Sequence, residues 1–170
     1  MTYLITGGSK TGKSTRAEEL ALHLAEGAPV HYIATFKAVD DEDAMVVKRH
    51  RVARAGKNFV VIEKQQGLES IAVPPAAVVL LEDLPNVLAN EMFDGGAVSD
   101  ILPGLKALKT KARHLIIITN ELGSDGGAYD ALTKEYIDAL GFLNRQAACL
   151  SDVVAEVVCG FPQIIKGEWP

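Results

Sequence analysis

The sequence predicts a three-layer α/β fold with a mainly parallel central sheet, and three observations lead to this prediction. Short runs rich in β-branched residues alternate with longer segments of helical periodicity along the chain. Several of the short runs are apolar at every position, which is typical of parallel strands covered on both faces. The first of these runs leads directly into a glycine-rich loop. We therefore expect one domain over residues 1–170, with helices on both faces of a single sheet.

Six segments are predicted to be strands and four to be helices. The predicted strands are residues 3–6, 30–34, 59–62, 77–81, 115–119 and 153–158. The predicted helices are residues 14–26, 41–54, 99–112 and 129–150. The first helix places its apolar residues on one stripe, as expected of a helix that covers a sheet.

Composition and charge exclude several classes of function. The net charge of −5 argues against nucleic acid or an anionic membrane as a partner. Cys149 and Cys159 show no metal-ligand spacing, and we expect both to be packing residues. The longest apolar run, residues 71–81, is interrupted by prolines and is too short to span a bilayer. The N-terminal residues lack a signal-peptide pattern, so a cytoplasmic location is expected.

Residues 7–14 match the phosphate-binding pattern G-x-x-x-x-G-K-S/T in full, between a predicted strand and a predicted helix. Glycines allow backbone N–H groups to point into such a loop, and the helix N-terminus adds a partial positive charge. Lys13 would reach the β- and γ-phosphates of a nucleoside triphosphate, and the Ser14 hydroxyl would bind Mg²⁺. A chance glycine turn is the alternative, but the flanking strand and helix favour a P-loop NTPase fold. The predicted nucleotide-binding residues are Gly7, Gly8, Ser9, Lys10, Thr11, Gly12, Lys13 and Ser14.

A P-loop needs an acidic partner at the end of another strand to complete the magnesium site. Glu82 comes first after the predicted strand 77–81 and is the favoured ligand, with Asp83 as the alternative. Acids at a strand end are also common on protein surfaces. Asn120 and Glu121 follow another predicted strand, and strand ends at this edge are where ligands bind in α/β sheets.

The predicted helix 41–54 begins with acidic residues and ends with basic residues around His50. This pattern complements the helix dipole and requires no ligand, so a purely structural explanation is available. The neighbouring cations would nevertheless keep the imidazole neutral and hold a phosphate beside it. A nucleophilic histidine needs both conditions.

The order of motifs along the chain resembles one family over nearly its whole length. After the P-loop come Y-I-A-T at residues 32–35, His50 with Arg54, V-I-E at 61–63, L-L-E at 80–82 and T-N-E-L-G at 119–123. Gly141 with Asn144 and the segment 157–162 complete the series. This series resembles the bifunctional adenosylcobinamide kinase / adenosylcobinamide-phosphate guanylyltransferase of cobalamin biosynthesis.

The resemblance implies two reactions at one nucleotide site, with Mg²⁺ and with ATP or GTP as the nucleotide substrate. ATP or GTP would phosphorylate the aminopropanol hydroxyl of adenosylcobinamide, and GTP would then donate GMP to that phosphate through a guanylyl-histidine. The resemblance makes His50 this histidine and implies a homo-oligomer, a trimer in the family. Matching positions imply nucleotide contacts by Ala34, Thr35, Phe36, Arg51, Arg54, Glu63 and Glu82.

The sequence departs from the family pattern at residues 46–47, 85, 124–127 and 134–138. The departure at 46–47 lies beside His50, and the one at 124–127 falls in a substrate loop. The departures at 85 and 134–138 bear on corrinoid binding or subunit contacts. Two alternatives therefore stay open at the level of the sequence. One is a small-molecule P-loop kinase in which His50 has no covalent role, and the other is a nucleotide-binding module without transferase activity.

Overall fold

A computed structural model describes residues 1–37, 45, 56–123 and 126–170. Within these residues, seven strands form one sheet in the order β3-β2-β4-β5-β1-β6-β7. All neighbouring strands run parallel except β6 and β7. The strands are β1 (Thr2–Thr6), β2 (Val30–Ala34), β3 (Phe59–Glu63), β4 (Val78–Glu82), β5 (His114–Ile118), β6 (Val153–Val158) and β7 (Phe161–Lys166).

Four α-helices lie among the described residues, and they cover both faces of the sheet. They are α1 (Lys13–Ala25), α2 (Leu84–Phe93), α3 (Ile101–Lys111) and α4 (Ala131–Leu150). Short 3₁₀ turns at Leu68–Ser70 and Val98–Asp100 precede β4 and α3 respectively along the chain. The predicted three-layer α/β fold with a mainly parallel sheet is confirmed.

Two hydrophobic clusters explain why the strands are apolar on both faces. On one face, alternate strand residues such as Tyr3 and Ile5 pack with Ala17 and Leu20 of α1. On the opposite face, the intervening residues such as Leu4 pack with α2, α3 and α4. Every central strand contributes alternate residues to the two clusters. Both faces of the strand are therefore apolar, and the alternation of apolar and polar residues expected of a strand with one exposed face does not occur.

Two elements were not predicted from the sequence. The helix α2 begins with Asp83 as its N-cap, where the side chain accepts a hydrogen bond from the Asn86 amide at 3.0 Å. A proline in the first turn completes a helix-start signal that the preceding strand obscured. The strand β7 contains Pro162, which is tolerated there because β7 is an edge strand. Its tight turn has positive φ at both Cys159 and Gly160, as a two-residue hairpin requires.

Several smaller predictions have definite outcomes. The expectation that both cysteines are packing residues is wrong, because Cys149 and Cys159 are exposed. The predicted helix 41–54 lies outside the described residues except for Met45. Among the described helices, none combines the length and the apolar character needed to cross a bilayer.

Candidate functional site

The loop between β1 and α1 has the backbone shape of a phosphate cradle. Gly7, Lys10 and Gly12 all have positive φ, and Gly12 is the N-cap of α1. A Cβ at Gly7 would lie 2.7 Å from the Val157 carbonyl oxygen, so no larger residue fits there. The loop therefore requires glycine at its base and leads into the positive end of α1.

Lys13 lies beneath this loop and is only 8% exposed. Its Nζ donates to the Gly8 carbonyl oxygen at 3.0 Å, which holds the side chain along the loop. Burial lowers the pKa of Lys13, while the nearby Asp83 and Glu82 carboxylates oppose that change. A buried cation at this position is suited to bind the phosphates that a nucleotide would bring.

The acidic partner of the loop comes from the end of β4. The Ser14 hydroxyl donates to Glu82 Oε1 at 2.6 Å, and Glu82 is the last residue of β4. Among the described residues, no group of three or more His, Cys, Asp or Glu side chains is arranged to hold a metal ion. One hydroxyl and one carboxylate nevertheless fit Mg²⁺, which takes few protein ligands and completes its shell with water and phosphate oxygens.

Asp83, the alternative metal ligand, has a different environment from Glu82. Its carboxylate caps α2, where Oδ1 accepts from the Asn86 amide. Burial raises the pKa of Asp83 to about 6, and the Glu82 charge contributes in the same direction. The geometry therefore favours Glu82 over Asp83 as the residue that meets Ser14.

The ends of β2, β3 and β4 lie side by side, with Ala34 paired to both Glu63 and Glu82. Thr35 follows and is fully buried; its hydroxyl donates to the Glu82 carbonyl oxygen and accepts from the Asp83 amide, both at 2.8 Å. The hydrogen bonds of the Thr35 side chain thus join the end of β2 to the end of β4. Any side-chain contact to a nucleotide in this segment falls to its neighbours, of which Phe36 is 38% exposed.

Asn90 of α2 fixes the two loops that follow β2 and β3. Its Nδ2 donates to the Thr35 carbonyl oxygen at 2.8 Å and to the Gln65 carbonyl oxygen at 3.1 Å. Because Asn90 is buried, both bonds are sheltered from water. The segment from Ala34 to Phe36 is therefore held from two sides.

The β6–β7 hairpin holds the opposite side of the phosphate loop. The Gly160 amide donates to the Thr11 carbonyl oxygen at 2.9 Å, and Arg16 Nε donates to the Gly160 carbonyl oxygen at 2.7 Å. These bonds connect the loop, the first turn of α1 and the hairpin. The shape of the cradle thus depends on a hairpin whose Gly160 lies 144 residues beyond Arg16 along the chain.

The end of β5 lies between the phosphate loop and Glu82. The Thr119 hydroxyl donates to Asn144 Oδ1 at 2.6 Å, and Asn144 Nδ2 donates to the Asn120 carbonyl oxygen at 2.9 Å. The Asn120 Oδ1 atom is buried and has no hydrogen-bond partner among the described residues. Thr119 and Asn120 thus reach the same sheet edge as the P-loop and Glu82, as the sequence predicted.

Three predicted site residues, His50, Arg51 and Arg54, lie outside the described residues. Their predicted roles stay predictions. The remaining predicted residues lie in or beside two regions, the phosphate loop 7–14 and the joined ends of β2, β3 and β4. Lys13, Ser14 and Glu82 connect these two regions.

Similar folds occur among solved structures. The flagellar accessory protein FlaH from Methanocaldococcus jannaschii aligns over 99% of this chain and 81% of its own, with a TM-score of 0.55 and 15% identity. A second solved structure, an ATPase domain, aligns over 91% of this chain and 68% of its own, with a TM-score of 0.51 and 13% identity. At these identities the likeness establishes the fold alone, which is the fold predicted from the sequence.

Sequence comparison identifies the family. The cobinamide kinase / cobinamide phosphate guanyltransferase family matches residues 3–165. This chain belongs to that family. Kinase and guanylyltransferase chemistry in cobalamin biosynthesis is the activity of the family, and the sequence prediction of this membership is confirmed.

Curated relatives agree with this family over their full length. The bifunctional adenosylcobalamin biosynthesis protein CobU of Escherichia coli (strain K12) is 30% identical over 98% of this chain and 100% of its own. The protein of the same name from Salmonella typhimurium is 27% identical over the same shares. CobP of Pseudomonas aeruginosa is 30% identical over 99% of both chains.

Some residues that shape the site could not be assigned a role from the sequence. Tyr32 and Asn144 lie in motifs named in the sequence analysis, and Asn90 lies in α2, which was not predicted. The sequence around each of them does not indicate what its polar group binds. Asp83 carried a readable signal, because an acid shortly before a proline marks a helix start. The others could not be assigned, since their partners lie on different elements of the fold.

Proposed function

We propose that this chain phosphorylates adenosylcobinamide with ATP or GTP and then transfers GMP from GTP to the new phosphate. One observation supports the nucleotide part above all others: Ser14 of a fully formed phosphate loop donates to Glu82 across the sheet, and the Lys13 cation lies near enough to feel the Glu82 charge. Family membership supplies the corrinoid substrate. Mg²⁺, with Ser14 and Glu82 as its ligands from the protein, would neutralise phosphate charge when bound.

In the kinase step the aminopropanol oxygen attacks the γ-phosphorus of the nucleotide. The bond between that phosphorus and the bridging oxygen breaks, the nucleoside diphosphate leaves, and the hydroxyl proton passes to water. Lys13 lies along the loop, and we propose that it binds the charge of the β- and γ-phosphates during this transfer. The contribution of the chain is chiefly positioning and charge neutralisation.

In the guanylyl step we propose that an imidazole nitrogen of His50 attacks the α-phosphorus of GTP. A P–N bond forms, the bond from the α-phosphorus to the bridging oxygen breaks, and pyrophosphate leaves with its charge bound by the loop and Lys13. A phosphate oxygen of adenosylcobinamide-phosphate then attacks the same phosphorus, which releases His50 and yields adenosylcobinamide-GDP. Arg51, Arg54, Glu63 and the segment from Ala34 to Phe36 are proposed to contact the nucleotide.

Incubation with α-labelled GTP tests the covalent step. We expect the wild-type protein to form a labelled adduct that is labile in acid and stable in base, as a P–N bond is. His50→Ala should lose the adduct but keep phosphorylation of adenosylcobinamide. His23→Ala is the matched control, because His23 lies exposed on α1 and should label like the wild type.

Three other outcomes would contradict parts of the proposal. An adduct that persists in His50→Ala would show that another residue is the nucleophile. Kinase turnover without any adduct in the wild type would indicate a plain small-molecule P-loop kinase. Nucleotide binding without either reaction would indicate a binding module.

We also expect the homo-oligomer implied by the family resemblance to be visible in the mass of the protein in solution.

A further inference from the structure

A buried tyrosine contacts the carboxylate that faces the phosphate loop. Tyr32 of β2 is only 3% exposed, and its hydroxyl donates to Glu82 Oε2 at 2.5 Å. Its ring packs edge-on against Phe59, with 6.0 Å between the ring centroids and 79° between the ring planes. The hydrophobic cluster therefore holds the ring in place, and the ring positions its hydroxyl at Glu82.

The two oxygens of the Glu82 carboxylate have different partners. Oε1 accepts from the Ser14 hydroxyl at 2.6 Å, on the side of the phosphate loop. Oε2 accepts from Tyr32, on the side of the buried cluster that packs against α1. Oε2 thus accepts from Tyr32, and Oε1 is the oxygen directed to the place where Ser14 and a nucleotide phosphate would meet.

We infer that Tyr32 is a positioning residue that makes Glu82 a one-oxygen ligand and thereby selects Mg²⁺ over Ca²⁺. The inference rests on the proposed metal role of Ser14 and Glu82. Ca²⁺ takes more ligands at longer distances and readily accepts both oxygens of a carboxylate. Mg²⁺ requires a compact octahedral shell, for which a carboxylate held to one oxygen is better suited.

Phenylalanine at position 32 tests this assignment with little change in shape. Tyr32→Phe keeps the ring, its contact with Phe59 and its burial, and removes only the hydroxyl. Glu82 can then rotate and offer both oxygens. Tyr3→Phe is the matched control: Tyr3 is 2% exposed on β1, and its hydroxyl donates only to the Met1 sulfur at 3.6 Å among the bonds described.

The measurement is calorimetric binding of the α,β-methylene analogue of GTP, which cannot lose pyrophosphate. Each protein is titrated with Mg²⁺, with Ca²⁺ and with a chelator in place of metal. For Tyr32→Phe we expect the enhancement of nucleotide affinity by Mg²⁺ to fall about tenfold, as when an outer partner of a metal ligand is removed. The enhancement by Ca²⁺ should be kept or increased, and the affinity without metal should be unchanged. Tyr3→Phe should match the wild type throughout.

Further outcomes separate this inference from the proposed function. If the wild type gains no affinity from Mg²⁺, the proposed metal site fails and the inference fails with it. Loss of the affinity gain from Mg²⁺ in Glu82→Gln would support the metal site. If Tyr32→Phe then shows the same ratio of Mg²⁺ enhancement to Ca²⁺ enhancement as the wild type, the role of Tyr32 is disproved and the metal site is not. Equal losses in Tyr32→Phe and Tyr3→Phe would mean a packing effect and would also disprove it.

Discussion

At the scale of single residues, neighbouring side chains in the site have opposite orientations and different chemistry. Glu82 ends β4 and faces Ser14, whereas Asp83 begins α2 and faces the first amides of that helix. The sequence identified both acids and favoured the first one off the strand, Glu82, as the magnesium ligand, which stays a prediction. It could not show that the second acid is a helix cap, because α2 itself was not predicted.

Asp83 of α2 and Asp130 of α4 cap their helices through side-chain hydrogen bonds, and they are expected to respond oppositely to pH. In folded protein the pKa of Asp83 is raised to about 6 by burial, from an ordinary value of 3.8. Its contribution to stability is therefore full below pH 3.8 and is lost as pH rises through about 6. Asparagine caps helices equally well. Asp83→Asn should thus raise the free energy of unfolding above that of the wild type, and the increase should be larger at pH 7 than at pH 4.5. Chemical denaturation without metal or nucleotide measures both values.

Asp130, the N-cap of α4, is the matched control. Hydrogen bonds from Thr133 lower its pKa, so its contribution is present at neutral pH and is lost as pH falls. Asp130→Asn should therefore lower the free energy of unfolding at pH 7. A parallel response of the two variants to pH would refute the assigned environments.

At the scale of elements, two glycines within helices have opposite surroundings. Gly104 of α3 lies against the 3₁₀ turn Leu68–Ser70, and a Cβ there would be 2.6 Å from the Leu68 Cβ. At Gly141 of α4, the nearest described atom outside the helix backbone would be a guanidinium nitrogen of Arg145, at 3.6 Å. Close approach of backbones therefore requires glycine in α3 but not in α4.

Alanine at each position is expected to change stability in opposite directions. Gly104→Ala should lower the free energy of unfolding by about 1–3 kcal/mol, because the buried neighbours must move. Gly141→Ala should raise it by about 0.5–1 kcal/mol, because a helical glycine loses more conformational freedom on folding than alanine. Denaturant titrations of both variants measure this. Similar changes in the two would contradict the packing of α3 on the 3₁₀ turn.

At the scale of the whole molecule, the strand order brings the parts of the site together. The strand β5 lies between β1, which leads into the phosphate loop, and β4, which ends in Glu82. Ser14 and Glu82 nevertheless meet, because α1 crosses the face of the sheet above these strands. The carboxyl ends of the parallel strands β2, β4, β5, β1 and β6 therefore lie in a row at the same edge of the sheet.

Nucleotide binding should stabilise the whole fold through this edge. At a concentration of Mg²⁺ and GTP analogue about 100 times the dissociation constant, linkage predicts about 2.7 kcal/mol of added stability. For a domain of this size each kcal/mol raises Tm by about 2–4 °C. Lys13→Met should lose most of this shift in thermal unfolding, while its Tm without nucleotide is the control for folding. An undiminished shift would show that the nucleotide binds elsewhere.

The sequence by itself determined the fold class, the phosphate loop and the family, because these features are encoded in contiguous residues. The motif at residues 7–14 is contiguous and can be identified from the sequence, although the shape of the loop also depends on its contacts with the β6–β7 hairpin. Each continuously apolar run likewise indicates by itself that its strand is buried. Only the tertiary structure decided which groups meet across the sheet: Glu82 contacts Ser14 from 68 residues away and Tyr32 from 50. Such contacts depend on strand order, register and side-chain direction. Local periodicity does not carry that information, because the same apolar strand fits several places in a parallel sheet.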